Sequence, residues 1–250
     1  MQILAQDRKA LDHVAERGGE IVDRAVAWCA INSGSRNIEG LTEQLEVLAI
    51  EAARTLPCDV QRVALAASSE VGDDGLVREQ PHPAALRLTM RPEAPTQIVL
   101  TGHYDTVYPA SSPFQTVNRR PDGALHGPGI ADMKGGISVI MAALEAFETH
   151  PDKDAVGWTA LLSPDEEIGS LASGPILAEL GARGHLGLTF EPAMPDGSLA
   201  SSRKGSANWH LIVKGKSAHA GRAFEEGRNA IAGAAQIGWA LHSLNGQKPA

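Results

Sequence analysis

SPDEEIGS, Ser163 to Ser170, follows the apolar run Trp158 to Leu162 and ends it with two adjacent carboxylates, Glu166 and Glu167. Adjacent side chains of an extended or turning backbone point to opposite sides. One glutamate can therefore bind a metal while its neighbour faces a water or a substrate. For the dipeptide alone, a solvated acidic turn closing a strand is the commoner explanation. The flanking sequence changes that balance.

Upstream, QIVLT (Gln97 to Thr101) reads as a strand that runs into GHYDT, Gly102 to Thr106. His103 and Asp105 are two apart, so on an extended backbone they share a face, and Asp105 could accept the second imidazole N–H of a metal-bound His103. Next comes GPGIADMKGG, Gly127 to Gly136, and then Ile137, Ile140, Met141, Leu144 and Phe147 at helical spacing. Asp132 is expected at or just before the first turn of that helix, as a plain N-cap or as a metal ligand favoured by the helix dipole. Downstream, Leu186 to Phe190 leads into Glu191. Three apolar strands thus each deliver a histidine or carboxylate just past the carboxyl end, where open α/β sheets place their ligand sites. A fourth acid precedes a helix, and the four together point to a bound metal.

The remaining pattern is that of an α/β protein. Glu20 to Ile31 and Leu41 to Leu56 carry apolar residues at helical spacing, while Val60 to Ala66 and Leu86 to Met90 read as strands separated by a polar loop. Asp122-Gly123 predicts a hairpin turn. From about Arg203 the texture changes: Ala207, Trp209, Leu211 and Val213 alternate with polar residues as in a half-buried strand, and Asn229 to Leu241 has helical spacing.

The bulk composition narrows the partners. A chain of 250 residues, 43% hydrophobic, can bury a large core in one domain or two. A formal charge of -8 without a basic block argues against nucleic acid or an anionic membrane as the main partner, which leaves small molecules or peptides. Cys29 and Cys58 stand in no metal-type spacing, so a reducing cytoplasmic setting is expected. The charged N-terminus lacks the apolar stretch of a signal peptide, and no uncharged run approaches the ~20 residues that span a bilayer.

Taken in order, INSGS (Ile31 to Ser35), TGHYDTVYP, GPGIADMKGG, SPDEEIGS, the FEP around Glu191, RKG and GKSAHAG resemble the di-zinc metallopeptidase family. That family includes aminoacylases, acetylornithine deacetylase, succinyl-diaminopimelate desuccinylase and glutamate carboxypeptidase; HYDTVYP and INSGS look closest to the glutamate carboxypeptidase branch. The resemblance implies a three-layer α/β/α catalytic domain with a mostly parallel central sheet over residues 1–203. The start of a smaller α+β lid and dimerisation domain would follow over 204–250.

It further implies two Zn2+ ions, with Co2+ or Mn2+ as other fits for the same donor types. Asp132 would bridge them, His103 and Glu191 would complete one site, Glu167 would bind the other, Asp105 would support His103, and Glu166 would be the general base. His219 would be a lid histidine that reaches the active site of a partner subunit in a homodimer and steadies an oxyanion. The substrate would be a small N-acyl amino acid or dipeptide-like amide. A last zinc-binding histidine, which relatives place after the lid, has no counterpart here, so the expectation is an N-terminal portion of a longer protein that is inactive alone. A catalytically dead, metal- or ligand-binding relative and a two-metal phosphoesterase stay open as alternatives.

Overall fold

The computed structural model describes residues 3–72, 74–194, 196–198, 205 and 207–247. Arg203 and Lys204 of the RKG motif, and with them the expected domain boundary, lie outside the described residues. Two compact units emerge: Met1–Ser69 with Glu79–Ser201, and Glu70–Arg78 with Ser202–Ala250.

In the first unit, helices α1 (Ala5–Glu16), α2 (Gly18–Cys29) and α3 (Ile38–Thr55) precede strand β1 (Asp59–Val63). The short strands β2 (Ser68–Val71) and β3 (Val77–Gln80) pair with each other within a stretch that the sequence presents as loop. Strands β4 (Ala85–Met90) and β5 (Thr96–His103) follow, and then a hairpin of β6 (Asn118–Arg119) and β7 (Leu125–His126). Its turn contains Gly123 at φ 86°, a conformation open to glycine at little cost. Helix α4 (Gly135–Phe147), strand β8 (Val156–Ser163), helix α5 (Gly174–Arg183) and strand β9 (Leu186–Thr189) complete the unit.

β1, β4, β8, β5 and β9 form one sheet in that order. β5 runs parallel to β8 and β9, whereas β4 is antiparallel to β1 and β8, so β4 alone points the other way. The strands' alternation sorts their side chains into two layers. Leu86, Leu88, Leu100, Trp158, Ala160 and Leu162 pack with Trp28, Leu41, Leu48, Ile137 and Met141 of α2, α3 and α4 on one face. Ala85, Val99 and Leu161 pack with Leu180 of α5 on the other. This is a three-layer α/β/α arrangement. Leu41, Leu48, Leu86 and Ile137 are fully buried, each such side chain contributing about 1.5–3 kcal/mol of hydrophobic stabilisation.

Ion pairs fasten the helices. Arg24 of α2 reaches Glu51 of α3 at 3.3 Å and Glu145 of α4 at 2.9 Å, and donates to Ser138. At the end of α4, Glu148 accepts both guanidinium nitrogens of Arg91, at 2.8 and 2.6 Å, and the indole N–H of Trp158 at 2.8 Å. Among the described residues no helix is long and apolar enough to cross a membrane.

The second unit corrects one expectation. Residues 207–213 form no strand, and Trp209 and Leu211 are 88% and 55% exposed. Alternation makes a strand only when a neighbour pairs with its backbone, and among the described residues from 207 to 247 the one bridge is Lys216 to Arg228. The expected helix is present as α6 (Ala230–His242), capped by the Asn229 side chain accepting the N–H of Ala232.

Burial raises the Glu148 carboxyl pKa, but the Arg91 and Trp158 hydrogen bonds outweigh it and leave the group below its usual 4.5. A lowered carboxyl stabilises the fold above the unfolded value, and this is lost as pH falls through the folded one. Glu148→Gln should therefore cost about 1.5–3 kcal/mol at pH 7, the range for hydrogen bonds to charged groups. Urea melts at stepped pH should show the gap from the parent protein closing below pH 4.5.

Candidate metal centre

The site is assembled at the carboxyl ends of β5, β8 and β9. The parallel register pairs Thr101 with Leu161 and His103 with Ser163, so the loops after β5 and β8 leave the sheet side by side. β5 extends through His103, which is 1% exposed although it is an imidazole.

His103 Nδ1 lies 3.0 Å from the backbone carbonyl of Asp105 and 3.2 Å from its carboxylate. Both partners only accept, so Nδ1 carries a proton and donates it, and Nε2 is the nitrogen left to face the opening. There it meets Asp132 Oδ1 at 3.0 Å, Glu191 Oε1 at 3.8 Å and Glu166 Oε2 at 3.9 Å.

Asp132 does not cap a helix. Its φ and ψ of -121° and 97° lie outside the helical region, in an irregular turn from Ile130 to Lys134 that precedes α4. The next residues fasten this turn. His103 N–H donates to Met133 Sδ at 3.2 Å, and the buried Lys134 ammonium donates to the carbonyls of Trp28 and Ile31 at 3.0 and 2.8 Å. Burial pushes that ammonium down to about 8. Gly136 lets the turn approach β9: a Cβ there would sit 2.2 Å from the carbonyl oxygen of Phe190, the residue before Glu191.

Asp105 is wholly buried. Besides His103, it accepts Ser35 Oγ–H at 2.8 Å and the backbone N–H groups of Glu166 and Glu167, each at 3.2 Å. One carboxylate thereby holds both the histidine and the acidic pair. Asp165, also wholly buried, accepts the N–H groups of Ala172 and Ser173 and folds the SPDEEIGS turn back on itself. Asp165 and Ser35 were not singled out from sequence; an aspartate directly before a turn is the one signal that marks the first.

Among the described residues, His103, Asp132 and Glu191 are the group whose donor atoms all lie within 4.8 Å of one another. Ligand atoms around an ion with bonds of about 2 Å stand roughly 3–4 Å apart, and imidazole with carboxylates suits zinc, so these residues fit a divalent cation. Glu167 lies outside that trio; burial, then the charge of Asp132, push its carboxyl up to about 7. Glu166 is raised as well, chiefly by burial, against the lowering influence of His103. For His103 burial disfavours the charge, but hydrogen bonds to Asp105 and Glu191 outweigh it and push the imidazole up to about 11. His219 belongs to the second unit, where it is exposed and its Nδ1 accepts the N–H of Gly221 at 3.1 Å.

Residues 99–237, more than half of the chain, match peptidase family M20/M25/M40. The chain belongs to this family. Over 153 residues it is 34% identical to carboxypeptidase G2 of Pseudomonas sp. (strain RS-16), covering 59% of this chain and 35% of that protein. Over 137 residues it is 36% identical to succinyl-diaminopimelate desuccinylase of Xanthomonas campestris pv. campestris (strain B100), covering 49% and 35%. The M20 chain thus aligns with about a third of the length of these relatives. Its fold is similar to that of human carnosine dipeptidase 1 (TM-score 0.62, 19% identity, 77% of this chain and 42% of that one). It is also similar to that of a metallo-carboxypeptidase from Sulfolobus solfataricus (TM-score 0.53, 18% identity, 71% and 39%).

A cation must displace the Nε2 proton of His103, so binding should release protons and weaken as pH falls. The apparent affinity for Zn2+ should drop about tenfold per pH unit wherever one proton is displaced. Calorimetry in buffers of different ionisation enthalpy reads both effects, and Asp132→Ala should abolish the binding.

Proposed function

We propose that this chain carries the catalytic part of a metal-dependent hydrolase that cleaves the amide bond of a small N-acyl amino acid or dipeptide-like substrate, as a carboxypeptidase or deacylase. The observation that supports this reading is the meeting of His103, Asp132 and Glu191, with Glu166 at 3.9 Å from the same imidazole nitrogen. Membership of a peptidase family and the names of the curated relatives favour amide over phosphate chemistry.

In this scheme His103, Asp132 and Glu191 would hold a zinc ion, and Glu167, with Asp132, would serve a second. Two such ions, or Co2+ or Mn2+ in their place, would polarise the amide carbonyl and acidify a water. Glu166 takes a proton from the attacking water and returns it to the departing nitrogen. Burial raises its carboxyl above the usual range, the direction a proton-exchanging group needs. Asp105 keeps the proton of His103 on Nδ1 and leaves Nε2 as the ligand atom.

His219 would steady the oxyanion from a lid that begins near residue 204 and through which a homodimer forms. The grouping of the chain from Ser202 onward with Glu70–Arg78 in a unit apart from the sheet supports such a lid. The unpaired state of Cys29 and Cys58 suits a cytoplasmic setting.

In the full-length protein, Glu166→Gln should lower kcat on an N-acyl amino acid by about 10²–10⁴, the usual contribution of a positioned base, while zinc stays bound. The metal-loaded parent should leave a phosphate ester uncleaved. Near-parental turnover in the variant would remove Glu166 from the scheme.

A further inference from the structure

We infer that Ser35 is a positioning residue of the metal centre: the loop after α2 sets the ligand geometry, and the Ser35 hydroxyl is its contact with the chemistry. This inference rests on the metal-site reading above.

The two closest donors of the site, His103 and Asp132, come from segments far apart in sequence, yet their ligand atoms stand 3.0 Å apart. Both segments are fastened to residues 28–35. On one side, Lys134, two residues after Asp132, spends its ammonium on the carbonyls of Trp28 and Ile31. On the other, the loop pairs with the residues after His103. Ser33 Oγ–H donates to the carbonyl of Tyr104 at 2.6 Å, Thr106 N–H to the carbonyl of Ser33 at 2.9 Å, and Ser35 N–H to the carbonyl of Thr106 at 3.0 Å. The approach is close enough to require glycine at 34, where a Cβ would lie 2.4 Å from the carbonyl oxygen of Tyr108.

These contacts all end on backbone carbonyls; among them only the Ser35 hydroxyl reaches a charged group of the site. It donates at 2.8 Å to Oδ2 of Asp105, the oxygen that also accepts Glu167 N–H, while Oδ1 accepts Glu166 N–H and faces His103 Nδ1. With Ser35 in place each oxygen of the buried carboxylate has two donors. Without it Oδ2 keeps one, and the carboxylate is free to turn toward other donors. Such a turn moves the histidine and the acidic pair together, because all three hang from the same two oxygens. A hydroxyl outside the ligand set therefore fixes the angle at which Nε2 meets the cation.

The test compares the parent chain with Ser35→Ala and Ser35→Thr. Removing such an outer partner typically weakens metal binding 10- to 100-fold, so Ser35→Ala should bind Zn2+ about that much less tightly by calorimetry. Its Co2+ form should show shifted d–d bands, and Ser35→Thr, which keeps the hydroxyl, should match the parent in both. Should Ser35→Ala not fold, Ser35→Cys keeps the size with a weak donor and should show the same loss. A metal-free arm reads the same hydroxyl: the His103 Nδ1–H resonance, which keeps its bond to the Asp105 carbonyl, should shift in Ser35→Ala as the carboxylate beside it turns. Zinc affinity and cobalt spectrum of Ser35→Ala within twofold of the parent, or equal weakening in Ser35→Thr, would overturn the inference. So would an unshifted Nδ1–H resonance in the metal-free variant. A parent chain that binds no zinc would overturn the metal reading instead, leaving the metal-free arm to decide on Ser35.

Discussion

A buried carboxylate governs this site. Asp105 is removed from water, and an ionised group there costs several kcal/mol unless donors replace its hydration. Four replace it: the His103 imidazole, the Ser35 hydroxyl, and the backbone N–H groups of Glu166 and Glu167. They come from three parts of the construction, namely the end of β5, the loop after α2 and, for both N–H groups, the turn after β8. Satisfying one acid therefore brings three segments to one place, and the parallel register of β5 and β8 sets the level at which they meet.

The same demand explains what could and could not be read from the sequence. His103, Asp132 and Glu191 were legible because each follows or precedes a strongly patterned element, and the structure gathers them. The strands around them were legible for the same reason: Trp158 to Leu162 and Leu86 to Met90 are apolar runs with clear ends. α1 was not, since AQDRKALDHVAE has few apolar residues and binds its neighbours partly through polar contacts such as Asp7 with His150 at 3.1 Å. α5 opens with Gly174 and Pro175, which reads as a break although proline suits a first helical turn.

Two misreadings share a cause. Asp132 has the composition of an N-cap, and residues 207–213 have the alternation of a strand, yet neither feature is realised. Local pattern states what a segment could do, and partners decide. The turn around Asp132 is shaped by Met133 under the His103 amide and by Lys134 on the carbonyls of α2, contacts more than 25 residues away in the chain. Residues 207–213 lack a paired neighbour among the described residues. Ser35 escaped notice for the same reason, since its importance comes entirely from Asp105, 70 residues on.

The balance of forces also says how a metal relates to the fold. In small zinc domains the ligands are the core, and the chain is unfolded without the ion. Here the donors extend from the rim of a core that is already closed, with Leu86, Ile137, Met141 and Leu162 wholly buried beneath them. Burial first, and neighbouring carboxylates after it, raise the carboxyls of Glu166 and Glu167, while hydrogen bonds to Asp105 and Glu191 raise the imidazole of His103 against its burial. Lys134 keeps its two carbonyl acceptors, and Asp105 its two backbone N–H donors and the Ser35 hydroxyl, whether or not those groups are protonated. The scaffold can thus hold the ligands in place ahead of the cation, and metal binding becomes an exchange of protons for charge at a preformed site rather than a folding event.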